Sequence, residues 1–226
     1  MLSLKNPYIS VLYDEKGSYG GNQMRSGNKT EREVGCGVIA GLDLLLYLCR
    51  YHLRSADCGL KLPVPLSGPI AQENYLLLQG AMRKKYLPLI PGHGINGVTL
   101  ALGMNICFIK NRIPFRALWG VPFSVLWDRV DEMLSRDIPV IFSVGPNFPL
   151  LWQHNRLKFY VRTDGGMLPG PQTHAHYVTV TGADSDWLQI SSWGKRYYIR
   201  KDDYLSYVKR HSARLFSNIL YIREKK

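Results

Sequence analysis

The sequence lacks any apolar run near the ~20 residues that a membrane-crossing helix needs. Its longest greasy stretch, around Leu42 to Leu48, contains Asp43 and soon meets Arg50 and His52, so a spanning helix is not expected. Met1 to Tyr8 carry one lysine and no apolar h-region of a signal peptide, and the expectation is a cytoplasmic protein. Cysteine is scarce. Cys36, Cys49, Cys58 and Cys107 form no C-x-x-C pair and are too sparse for a disulfide scaffold or a structural zinc cluster, so reduced thiols are expected. The six histidines show no H-E-x-x-H and no i, i+4 pairing with cysteine, and neither a metal nor a cofactor is expected. Internal repeats and low-complexity segments are absent too.

What is present is apolar and basic. Of 226 residues, 46% are hydrophobic and 12% aromatic, enough to offset the ordering entropy around a substantial core. The length fits one large domain or two small lobes. Lys and Arg number 29 against 17 Asp and Glu, a formal net charge of +12, which invites a nucleic acid or an anionic surface as partner. The basic residues are scattered, as in Lys84-Lys85, Lys195-Arg196, Arg200-Lys201 and Lys209-Arg210. With no longer basic block and no zinc-finger or RNA-recognition signature, nucleic-acid binding is not expected as the main role.

Residues 1 to 33, rich in Gly, Ser and Asn, read as an extended start followed by a loop. From Cys36 to about His52 the apolar residues recur at steps of three and four, predicting a helix buried along most of one side. Further helices are predicted over 70 to 86 after Ser67-Gly68-Pro69, over 98 to 111 with Asn96 as cap, and over 122 to 135. The pattern then changes to short β-branched and aromatic runs at 138–144, 158–162, 177–181, 187–191, 197–200 and 219–223, which predict strands. Ala183 to Asp186 reads as a hairpin turn, and Asp202 to Arg210 as a short helix before the last strand. Helices first and strands second define an α+β class.

A thiol becomes nucleophilic when its pKa falls, and unpaired N–H groups at a helix start favour the thiolate. Cys36 sits there, in Val34-Gly35-Cys36-Gly37-Val38, where glycines permit a sharp turn and room for a substrate beside the sulfur. The plainer reading is a small buried residue at a helix start. His176, in His174-Ala175-His176-Tyr177-Val178, opens a strand and can face that thiol as the imidazolium of a thiolate pair. His174, two residues earlier and on the same face of an extended strand, leaves the assignment of the base open. One hairpin later comes Ile190-Ser191-Ser192-Trp193-Gly194.

In this order the three features resemble the papain-like cysteine peptidase superfamily. Ser135 to Gly145 and the closing segment His176 to Tyr207 resemble its bacteriocin-leader-peptidase-like branch. The resemblance spans about residues 20 to 223 and implies one papain-like domain of two lobes with a cleft between them. The helical lobe would cover about 20–135 and the antiparallel β lobe about 138–226. It also implies an oxyanion-hole side chain ahead of the cysteine. Gln23 is the candidate, 13 residues before Cys36 where the family spacing would select Thr30; Asn22 is an alternative. Ser191 occupies the place of the family's Asn or Asp, where a hydroxyl can orient the imidazole without supplying charge. Asp184 and Asp186 fall at the far end of the hairpin from the histidine.

The expectation is a cysteine peptidase or amidohydrolase acting on a peptide or amide, with Cys36 as nucleophile, His176 as base, Ser191 as orienter and Gln23 at the oxyanion. Two alternatives stay open: a catalytically silent protein that binds a peptide or partner in the same cleft, and an acyltransferase. Gly92-His93-Gly94-Ile95-Asn96-Gly97 lacks the Lys-Ser/Thr pair of a phosphate loop and reads as a helix start. Cys49, Cys58 and Cys107 read as structural thiols.

Overall fold

A computed structural model describes residues 1–53 and 67–225. Cys58 lies outside the described residues. The elements, in chain order, are β1 (Leu2–Ser3), β2 (Val11–Tyr13), β3 (Lys16–Gly17), a 3-10 turn (Gln23–Arg25), α1 (Lys29–Val34), α2 (Cys36–Tyr51), β4 (Ile70–Ala71), α3 (Gln72–Lys85), α4 (Gly97–Lys110) and β5 (Phe115–Trp119). There follow α5 (Leu126–Ser135), β6 (Val140–Val144), β7 (Leu157–Thr163), β8 (Gly166–Thr173), β9 (His176–Ala183), β10 (Trp187–Ser192), β11 (Lys195–Arg200), α6 (Lys201–His211) and β12 (Ile219–Glu224).

The architecture is α+β, built on a nine-stranded sheet in the order β5-β12-β6-β9-β10-β11-β7-β8, with β1 added to the end of β9. Its strand pairs are antiparallel. A smaller sheet, β3-β2-β4, holds the amino-terminal segment, and there β2 and β4 run parallel.

Against this sheet lies α2, whose residues from Cys36 to Cys49 are all buried. A helix apolar on every side must be covered on every side. Strands β9 and β6 supply one wall, and α3 and α4 others. Glycines make the fit. A Cβ on Gly41 would stand 2.8 Å from Leu87, and one on Gly37 would stand 2.6 Å from Ile95 and 3.2 Å from Tyr177. The space at Gly37 is thus filled by the protein's own side chains, which corrects the expectation that it leaves room for a substrate.

Five features differ from the sequence reading. The amino-terminal loop contains α1, capped by Asn28, whose Oδ1 accepts from the Glu31 N–H at 3.1 Å. Strand β5 falls between two helices yet pairs with β12 along Phe115–Trp119, so the first 135 residues also contribute to the main sheet. Strand β8, with Pro169 and Pro171, forms the sheet's outer edge, where a proline costs no ladder bond. Helix α3 begins at Gln72 because Ile70–Ala71 pairs with β2 instead, and α5 begins at Leu126 after a 3-10 turn. The paired strands β9 and β10 and the helix α6 stand where the sequence places them.

Candidate active site

Gly35 joins α1 to α2. It ends α1 through its N–H to the Glu31 carbonyl and starts α2 without a side-chain cap. A Cβ there would lie 2.3 Å from Glu31 O, so only glycine permits the sharp junction. Because no side chain caps α2, its first N–H groups remain available. The Cys36 sulfur receives backbone N–H groups of Tyr177, Gly37 and Cys36 itself, all of which favour the thiolate. Burial outweighs them and pushes the thiol's pKa up.

His176 is 7% exposed, and burial drives its imidazole pKa down to about 3. Both groups are therefore neutral at pH 7. The expected thiolate and imidazolium do not rest as a preformed ion pair, because the low-dielectric surroundings penalise both charges.

Two contacts fix the imidazole. Its Nε2 lies 2.8 Å from Ser192 Oγ, and its ring stacks on the Trp193 indole at 4.5 Å between centroids and 15° between planes. Trp193 and Gly194 both have positive φ, at 49° and 73°, and close the β10–β11 hairpin between Ser192 and Lys195. Two left-handed residues match the twist of a tight hairpin, but tryptophan rarely adopts that conformation. The turn is thus held in a sparsely populated geometry that lays the indole over His176.

Ser191 does not hold the imidazole. Its hydroxyl donates to the Tyr19 carbonyl at 2.7 Å, and the orienting contact belongs to Ser192. Strand alternation explains the correction. Ser191 pairs with Thr179, so it shares a face with Thr179, while Ser192 shares the face of Val178 and His176. A register shift at Gln189/Ile190 hides this from a count along the sequence.

Cys36, His176, Ser191 and Gln23 nonetheless line one cavity, together with Ser192 and Trp193. It is narrow, with about 10 Å³ of space, room for about one water. Gln23 reaches it across 13 residues because α1 takes up the intervening chain. Gln23 Nε2 donates to the Arg32 carbonyl at 2.8 Å, while Thr30, on α1, does not line the cavity. Asn22 instead caps the 3-10 turn, accepting from Met24 N–H. His174 does not line the cavity; its ring lies 5.7 Å from the His154 ring. Asp184 accepts the N–H groups of Asp186 and Trp187 in its own turn.

The sequence reading missed Asp43, two turns beyond Cys36 on α2. Its carboxylate is buried and accepts from Tyr75 OH at 2.6 Å, Gly21 N–H at 2.9 Å and Tyr8 OH at 3.2 Å. Burial still raises its pKa to about 6 against those three bonds. It lines the same cavity and tethers the Gly20–Gly21 segment that leads into Gln23. A lone acid within an otherwise apolar helix is the signal that would have found it.

Among the described residues no group of three or more His, Cys, Asp or Glu side chains is placed to hold a metal ion. None of their helices is long and apolar enough to cross a membrane. No family model matches the chain, no curated protein matches it, and no solved structure matches its fold.

Proposed function

We propose that the protein is a thiol-dependent hydrolase of peptide or amide bonds, with a papain-like division into two lobes around the Cys36 cavity. The observation that carries this reading is the convergence of Cys36, His176 and Gln23 on one cavity, with the imidazole fixed by Ser192 and Trp193.

When Nε2–H donates to Ser192 Oγ, the imidazole is the tautomer whose Nδ1 can accept a proton. His176 then takes the thiol proton as Cys36 attacks the carbonyl carbon, and returns it to the leaving amine. The helix-start N–H of Cys36 and the second Nε2–H of Gln23 stabilise the developing oxyanion. Water taken up after the amine departs hydrolyses the thioester. An amine acceptor in place of water would give the acyltransferase outcome from the same intermediate.

The burial of both reactive groups favours a second reading, a silent protein that uses the same cavity only to bind. Iodoacetamide alkylation of Cys36 separates the two. A working base predicts that His176→Ala slows alkylation at neutral pH by about 100-fold, whereas equal rates in the two proteins support the silent reading.

A further inference from the structure

Helix α4 carries a feature that the cavity does not explain. Its exposed side chains before Lys110 are Val98 (60%), Leu102 (59%), Ile106 (37%) and Ile109 (65%). They are spaced four, four and three residues apart and so form one stripe, about 16 Å long at 1.5 Å per residue. No hydrogen-bonding side chain interrupts it.

The charge near the stripe in the sequence is of one sign. Residues 74–127 contain no Asp or Glu, yet carry Arg83, Lys84, Lys85, Lys110, Arg112 and Arg116. Arg83 is engaged by buried Glu31. The other five are exposed and without an ion pair among the described residues.

These cations flank the helix. Lys110 follows Ile109 directly, and Arg112 lies just beyond. The α3 terminus bearing Lys84 and Lys85 leads into Tyr86, whose carbonyl would stand 2.2 Å from a Cβ on Gly103. Arg116 precedes Ala117, whose backbone is held by the Asn105 side chain of α4 at 2.8 and 2.9 Å.

We infer that this face of α4 docks on an anionic lipid surface, the stripe entering the headgroup and acyl boundary while the flanking Lys and Arg reach the phosphates. Long basic side chains beside an apolar stripe suit that boundary, because their stems can lie along apolar material while the charges stay in the headgroups. A second copy of the chain is disfavoured, since it would bring the same uncompensated cations face to face. A nucleic acid would meet the cations but leave the stripe in water.

The test is flotation of the full chain with phosphatidylcholine vesicles containing about 30 mol % phosphatidylglycerol, beside phosphatidylcholine alone. Partition onto the anionic vesicles is expected, and loss of it at about 500 mM salt. The exposed pair Leu102→Gln/Ile109→Gln should lower partition at least about 10-fold. The pair Lys110→Gln/Arg112→Gln should lower it by about 5-fold per charge, with folding checked by circular dichroism in each case. Absence of binding to anionic vesicles would overturn the inference. So would binding that survives both pairs of substitutions, which would reflect only the general +12 charge. A concentration-dependent dimer in sedimentation, abolished by the leucine and isoleucine changes in a chain that ignores vesicles, would assign the face to a second copy instead.

Discussion

Replacing Asp43 by Asn should stabilise the protein increasingly as the pH rises from about 4 to about 7. The buried carboxyl has a pKa of about 6 in the folded protein, against about 3.9 for an unfolded aspartate. A raised carboxyl binds its proton more tightly when folded, so between these values the folded state holds more protons than the unfolded one. Stability therefore falls as pH rises through that window. About two pKa units correspond to roughly 2 to 3 kcal/mol over the range, at ~1.4 kcal/mol per unit. Asparagine keeps an oxygen for Gly21 N–H and presents an amide to the Tyr75 hydroxyl, so the hydrogen bonds survive in altered form while the titration disappears. Urea unfolding of both proteins at several pH values isolates the term, because every other group cancels in the difference. The stability of Asp43→Asn minus that of the parent should climb by about 2 to 3 kcal/mol from pH 4 to pH 7. A flat difference, or one that falls with pH, would refute the reasoning that burial outweighs the three donors.

The remaining predictions concern the cavity. If the protein is the proposed hydrolase, Ser192→Ala should slow the reaction by about 10-fold or more through loss of imidazole orientation. Ser191→Ala should act mainly on stability, by about 1 kcal/mol for one hydroxyl bond; comparing kcat and unfolding midpoints of the two variants checks the assignment. Trp193→Gly keeps a residue suited to positive φ while removing the indole, so water reaches His176. Its imidazole pKa, followed by NMR titration, should rise from about 3 toward the ordinary value of about 6.5.

Much of the fold is legible in the sequence because periodicity reports burial. The buried helix after Gly35 and the strand opened by His176 could both be read from apolar spacing, and so could the Asn96 cap, whose side chain accepts from Thr99 N–H at 2.9 Å. Strand β8 escaped because Gly and Pro normally mark loops, and only its edge position makes them tolerable. Helix α1 is signalled by Asn28-Lys29-Thr30-Glu31, a capping pattern set within a glycine-rich stretch that otherwise reads as loop. At the site, Cys36 and His176 were readable as chemistry-bearing types at element starts. Which of two adjacent serines faces the imidazole depends on strand register, and a register shift between β9 and β10 is a tertiary property. The charge states were unreadable for a similar reason: a helix start favours a thiolate locally, while desolvation depends on what the rest of the chain packs around it.

The proposed hydrolase requires Cys36 and His176 to act together as nucleophile and base. Its most direct test is the reaction with p-nitrophenyl acetate, an activated ester that demands no particular recognition, followed by intact mass and peptide mapping. The expected result is an acetyl thioester on Cys36 that forms and then hydrolyses, both steps slowed about 100-fold in His176→Ala. Acetylation that spares Cys36, or that proceeds on Cys36 at the same rate without His176, would contradict it.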